Sequence, residues 1–118
     1  MLNKPKIKTA VPKRRYQLGI FSIVVLGDIQ SEDGRRYHHV LAAVREGDAE
    51  PGLYLTAEPS PPELAARGAV CMRIIMADGE DVLGADDEWI DVDAFAEEGL
   101  TLVKTLLQLS DEEAFRLL

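Results

Sequence analysis

Residues 92–109, VDAFAEEGLTLVKTLLQL, constrain the fold more than any other part of this chain. At about 100° per residue, Gly99, Leu102, Leu106 and Leu109 fall within about 40° of Phe95 on a helical wheel. Val92, Ala96, Leu100, Val103 and Leu107 widen the apolar side to about 180°, against the ~100° that a helix resting on one surface needs. Asp93, Glu97, Glu98, Thr101, Lys104, Thr105 and Gln108 fill the other half. Asp91 is placed to cap the start, with Ile90 and Phe95 as a hydrophobic staple across it. Gly99 costs about 1 kcal/mol relative to Ala in a helix interior; on the apolar side it reads as a close approach to a strand. Ser110-Asp-Glu-Glu113 is a capping box and predicts a second, short helix over residues 111–118.

Such a helix needs a surface to cover, and the preceding sequence supplies strands. Residues 16–29 are rich in Ile, Val, Leu and aromatics and predict a first strand, apolar on both faces at its centre. Residues 35–45 predict a second, after an Asp33-Gly34 turn. Residues 53–57 predict a short third. Ser60-Pro-Pro-Glu63 is a capping box with Pro at the first helical position, and Gly68 stands at a C-cap, so residues 61–67 predict one or two helical turns. Residues 69–76 and 81–89 predict the fourth and fifth strands, joined at Asp78-Gly79. The order β-β-β-(short α)-β-β-α-α predicts an α+β fold: a five-stranded antiparallel meander, covered by the amphipathic helix and followed by the short terminal helix.

Charge divides the chain. Residues 1–15 carry Lys4, Lys6, Lys8, Lys13, Arg14 and Arg15 and no acid, while the rest holds 7 basic and 21 acidic residues. With Pro5 and Pro12, the start reads as a basic extended arm, residues 1–15, ahead of a single α+β domain, residues 16–118. Ten acids lie between Asp78 and Glu98, and the arm is expected to rest near them. At 118 residues and 47 % hydrophobic, the chain can bury a core of its own. Cys71 is the single cysteine, so no internal disulfide forms, in keeping with a reducing cytoplasm. The longest apolar run, residues 18–26, is too short to span a bilayer.

No catalytic, cofactor or metal motif emerges. His38 and His39 are neighbours in a strand and point to opposite faces, one to solvent and the other to the sheet's second face beside Tyr37 and Arg36. Cys71 reads as a small buried hydrophobe. The acids do not follow a calcium-loop pattern, and the glycines are scattered rather than forming a phosphate loop. The chain therefore reads as a non-enzymatic cytoplasmic protein, without cofactor, that binds a protein partner, most simply itself as a homodimer. The candidate interface residues are Leu100, Val103 and Leu107, from the surplus width of the helix's apolar arc, and Trp89, an aromatic beside acids at the strand-to-helix junction. The alternative is single-stranded nucleic-acid binding through Lys13, Arg14, Arg15, Arg35, Arg36 and Tyr37, which an acidic body disfavours. A further alternative is an enzyme of unknown reaction.

Overall fold

A computed structural model describes residues 4–118. Its seven strands are β1 (Ile7–Leu18), β2 (Phe21–Ser31), β3 (His39–Arg45), β4 (Leu53–Pro59), β5 (Val70–Met76), β6 (Gly79–Ala85) and β7 (Ala114–Arg116). They form one antiparallel sheet in the order β6-β5-β4-β3-β2-β1-β7. A short 3-10 helix, Asp87–Ile90, leads into α1 (Val92–Leu106). The architecture is α+β, with α1 packed across one face of the sheet.

The strand count departs from the expected five at both ends. The apolar run expected as one strand is a hairpin: Leu18 faces Phe21, and Gly19, at φ +57°, opens a two-residue loop with Ile20. Ile20 hides this turn in the sequence, because an isoleucine inside an apolar run reads as strand; here it is 45 % exposed. Strand β1 begins at Ile7, so most of the stretch expected as an arm is hydrogen-bonded to β2. The parity resets at the loop. Ile23 and Val25 join Leu18 under α1, while Val24 packs on the opposite face.

The second departure is at the C-terminus. No helix forms over residues 111–118; Ala114–Arg116 pairs with Tyr16–Leu18 as β7. A helix of about eight residues gains too few hydrogen bonds to repay its nucleation, whereas the free edge of β1 offers its donors and acceptors already ordered. Residues 61–67 form successive turns rather than a helix, with Leu64 N–H donating to Pro61 at 2.9 Å and Arg67 N–H to Leu64 at 2.9 Å. Gly68 is needed for a different reason from the expected cap: a Cβ there would stand 2.5 Å from the backbone nitrogen of Asp86.

Helix α1 starts as expected. The Asp91 side chain accepts from the Ala94 N–H, the N-cap bond. It ends earlier, at Leu106. Gln108, at φ +56°, takes the left-handed position of a Schellman motif. Leu109 N–H donates to Lys104 at 2.7 Å, and Gln108 N–H to Thr105 at 3.3 Å. The buried seam is Phe95, Ala96, Gly99 and Val103, rotated from the expected centre line. Leu102 is half-buried and Leu106 is exposed.

Alternation along the central strands fills the layer beneath α1. Leu41 and Ala43 of β3, Leu53, Leu55 and Ala57 of β4, and Val70, Met72 and Ile74 of β5 face the helix. The intervening residues form a smaller cluster on the other face, built from Val40, Ala42, Tyr54 and Ile75 with Ile7, Val24, Ile29 and Tyr37 against it. His39 is on the helix side, not on the second face where one histidine was expected. Its ring centre lies 5.4 Å from that of Phe95, and its Nε2 lies 2.9 Å from the Ile90 carbonyl. A carbonyl can only accept, so Nε2 carries the proton.

Candidate functional site

The expected interface residues lie largely within the chain's own packing. Val103 is wholly buried, and Leu100, Leu107 and Trp89 are half-buried against the core cluster. The exposed apolar surface of the helix is one step round, at Leu106, 42 % exposed. Leu106 meets Leu83 of β6, 41 % exposed, across a groove of about 340 Å³ floored by Ile74 and Met76. Strand β6 carries one residue more than β5 between the pairs Arg73–Val82 and Met72–Gly84. The extra residue is Leu83, on the same face as Asp81 two positions before it, and both line the groove.

Asp78, Glu80 and Asp81 line the same groove. Strand β6 is the last strand on its side of the sheet among the described residues, so it presents unpaired backbone groups beside the apolar floor. One of these is partly satisfied: Val82 N–H donates to the Asp81 carboxylate at 2.8 Å. Acids on an open edge oppose pairing with another acidic strand and favour a basic one.

The helix-free face holds a second assembly that the sequence reading missed. Thr56 and Glu58 alternate with Leu55 and Ala57, so both point away from α1. The Glu58 carboxylate is buried, with 8 % of the side chain exposed. It accepts from Thr56 Oγ1 at 2.6 Å and from Arg35 Nη2 at 2.8 Å. Arg73 Nε lies 3.3 Å from Oε2, the oxygen that accepts from Thr56, close enough for ion pairing but without hydrogen-bond geometry. Arg73 also reaches Glu80 at 3.2 Å. Burial lowers the Arg35 pKa, but the charge and hydrogen bond of Glu58 outweigh it and the net direction is upward.

Cys71 sits opposite Glu58 across the β4–β5 ladder. Burial, and then the Glu58 charge, push its thiol up. A carboxylate beside a buried thiol disfavours the thiolate, the opposite of nucleophile activation. Burial, and then Asp33, likewise push the Tyr37 phenol up. The assembly is a charge-paired clamp joining β4, β5, β6 and the loop before β3. A short signal could have suggested it: Thr56-Ala-Glu58 places two polar groups on one face of an otherwise apolar strand.

Of the six nucleic-acid candidates, three are engaged by carboxylates. Lys13 meets Asp28 at 2.7 Å, Arg14 meets Asp93 at 2.7 Å, and Arg35 meets Glu58. Arg15 and Arg36 are exposed, and Tyr37 is half-buried on the second-face cluster. Arg14 thus joins the basic start to the acidic region between Asp78 and Glu98. Among the described residues no three His, Cys, Asp or Glu side chains converge as a metal ion would require. No helix among them is long and apolar enough to cross a membrane. Comparison with family models, characterised proteins and solved structures finds no match for this chain.

Proposed function

We propose that this chain is a non-enzymatic protein-binding module that receives a basic, extended segment of a partner along β6. The observation that carries the reading is the groove between Leu106 and Leu83, apolar on its floor, rimmed by Asp78 and Asp81, and lying beside an open strand edge. An added strand gains main-chain hydrogen bonds from such an edge, and its alternate side chains enter the groove. Lysine or arginine among these groove-facing residues would meet Asp78 and Asp81 at the rim. Pairing of Lys13, Arg14 and Arg35 with carboxylates supports this reading over nucleic-acid contact. The single, buried Cys71 suits work in the cytoplasm.

A second copy is a weaker candidate for the occupant. The basic strand β1 has Pro12 and three breaks in its register with β2, both devices that blunt an edge. The test is selection from a random peptide library on the immobilised full chain. Selected peptides should carry both apolar and Lys or Arg residues at alternate positions, those that face the groove. A chosen peptide should bind less tightly as salt rises, and Leu83→Lys should weaken it at least about tenfold. A folded Leu83→Lys variant that binds the peptide unchanged sinks the proposal. A dimer in sedimentation that Leu83→Lys dissolves would instead make the partner another copy.

A further inference from the structure

The helix-free face carries a second hollow, separate from the β6 groove and independent of the reading just given. It is a cavity of about 490 Å³ between the segment Lys4–Ile7 and the sheet, within the ~300–1,000 Å³ of small-molecule sites. Val24 and Leu26 of β2, Ala42 of β3 and Tyr54 of β4 form the floor. Lys6 C=O accepts from Glu32 N–H at 2.8 Å, which pins the wall segment to the end of β2. Pro5 within that wall is buried. The depth comes from Ala42: a larger residue at this inward position of β3 would fill the space between Val24 and Tyr54.

The lining charges sort to the mouth. Lys4, Lys6 and Glu32 are exposed, whereas the floor residues are buried or half-buried. Lys4 makes one ion pair, to Glu50 at 3.6 Å, with both side chains more than half exposed; such a contact is weak and readily exchanged. Lys6 is therefore the cation at the mouth that carries no ion pair among the described residues, beside an apolar hollow. Burial, and then Glu50, push the Tyr54 phenol up, so it remains a hydrogen-bond donor at neutral pH.

We infer that this cavity binds a small amphiphilic carboxylate, its apolar body on Ala42 and Tyr54 and its anionic head at Lys6. The probe is decanoate, below its micellar concentration, titrated into the full chain and followed by amide NMR shifts. Shifts should concentrate at Val24, Ala42 and Tyr54. Ala42→Leu should weaken binding about tenfold or more by filling the floor. Lys6→Glu, on an exposed side chain that leaves the core untouched, should weaken it by about the same factor. Decanol should bind less tightly than decanoate, and decylamine less tightly still. Equal or tighter binding of decanol or decylamine overturns the assignment of the head group. Shifts centred on Leu83 and Leu106, or none at all, overturn the site. Should Ala42→Leu fail to fold, Lys6→Glu alone decides: unchanged affinity refutes the inference.

Discussion

A Cβ placed on Gly99 would stand 2.8 Å from Leu41 Cδ1 and 3.5 Å from Leu55 Cδ1. Helix α1 lies this close to β3 because one of its residues has no side chain. Leu41 is fully buried, so its methyl would have to shift within a packed layer. Gly99→Ala should therefore destabilise the protein by about 1–3 kcal/mol through overpacking, although alanine is favoured by about 1 kcal/mol in a helix interior. Urea denaturation measures the balance. A more stable alanine variant would show that the contact relaxes without cost.

The helix seam can be checked by a pair of truncations. Val103 is wholly buried, and Leu106 is two-fifths exposed. Val103→Ala should cost about 2 kcal/mol from lost burial and the cavity left behind. Leu106→Ala should cost less than about 1 kcal/mol. The reverse order would mean that the helix is rotated about its axis.

Gln108 holds a left-handed backbone conformation to close α1. Glycine takes that conformation without a Cβ penalty. Gln108→Gly should raise stability by roughly 0.5–1 kcal/mol, visible as a higher denaturation midpoint at an unchanged slope. A loss of stability would show that the glutamine side chain supports the cap.

Glu58 is the acceptor on which two arginines and a threonine converge. Glu58→Ala would leave Arg73 partly buried with only Glu80 to pair with, while Arg35 can turn to water. The expected cost is about 2–3 kcal/mol, below the ~3–5 kcal/mol of a fully enclosed pair. Arg35→Ala should cost less than Glu58→Ala. Equal effects would mean that the Arg35 contact supplies most of the clamp.

The raised Cys71 pKa has a consequence for reactivity. The thiol is favoured over the thiolate by burial and then by Glu58, so the reactive form becomes populated only above the ordinary cysteine range of about 8–9. In the native protein a disulfide reagent should react slowly at neutral pH, and faster as pH rises through that range and beyond. Unfolding in urea should accelerate the reaction sharply at fixed pH. Native reactivity at neutral pH equal to that of a free thiol would contradict the burial of Cys71 beside Glu58.

Signals that act within one turn or one strand were legible in the residues. Asp91 caps α1, and Gly99 marks its close approach to a strand. These features depend on neighbours a few positions away, where backbone geometry dictates which side chains share a face. The hairpin at Gly19-Ile20 was not legible, because an apolar residue at the turn satisfies the pattern of a continuous strand. The groove lay one residue off the expected interface, at Leu106 rather than Leu107, because α1 is rotated from the expected centre line.

Sequence alone settled the α+β class, the antiparallel order of the central strands and the start of the covering helix. Tertiary structure decided the rest through partners remote in the chain. Arg14 finds Asp93 79 positions away, and Arg35 finds Glu58 23 positions away. The last residues became a strand rather than a helix because the edge of β1 was free to pair with them. Local propensity sets what a segment can do in isolation, but hydrogen-bonding groups and charges are satisfied by whatever the fold brings beside them, and only the assembled sheet supplies those neighbours.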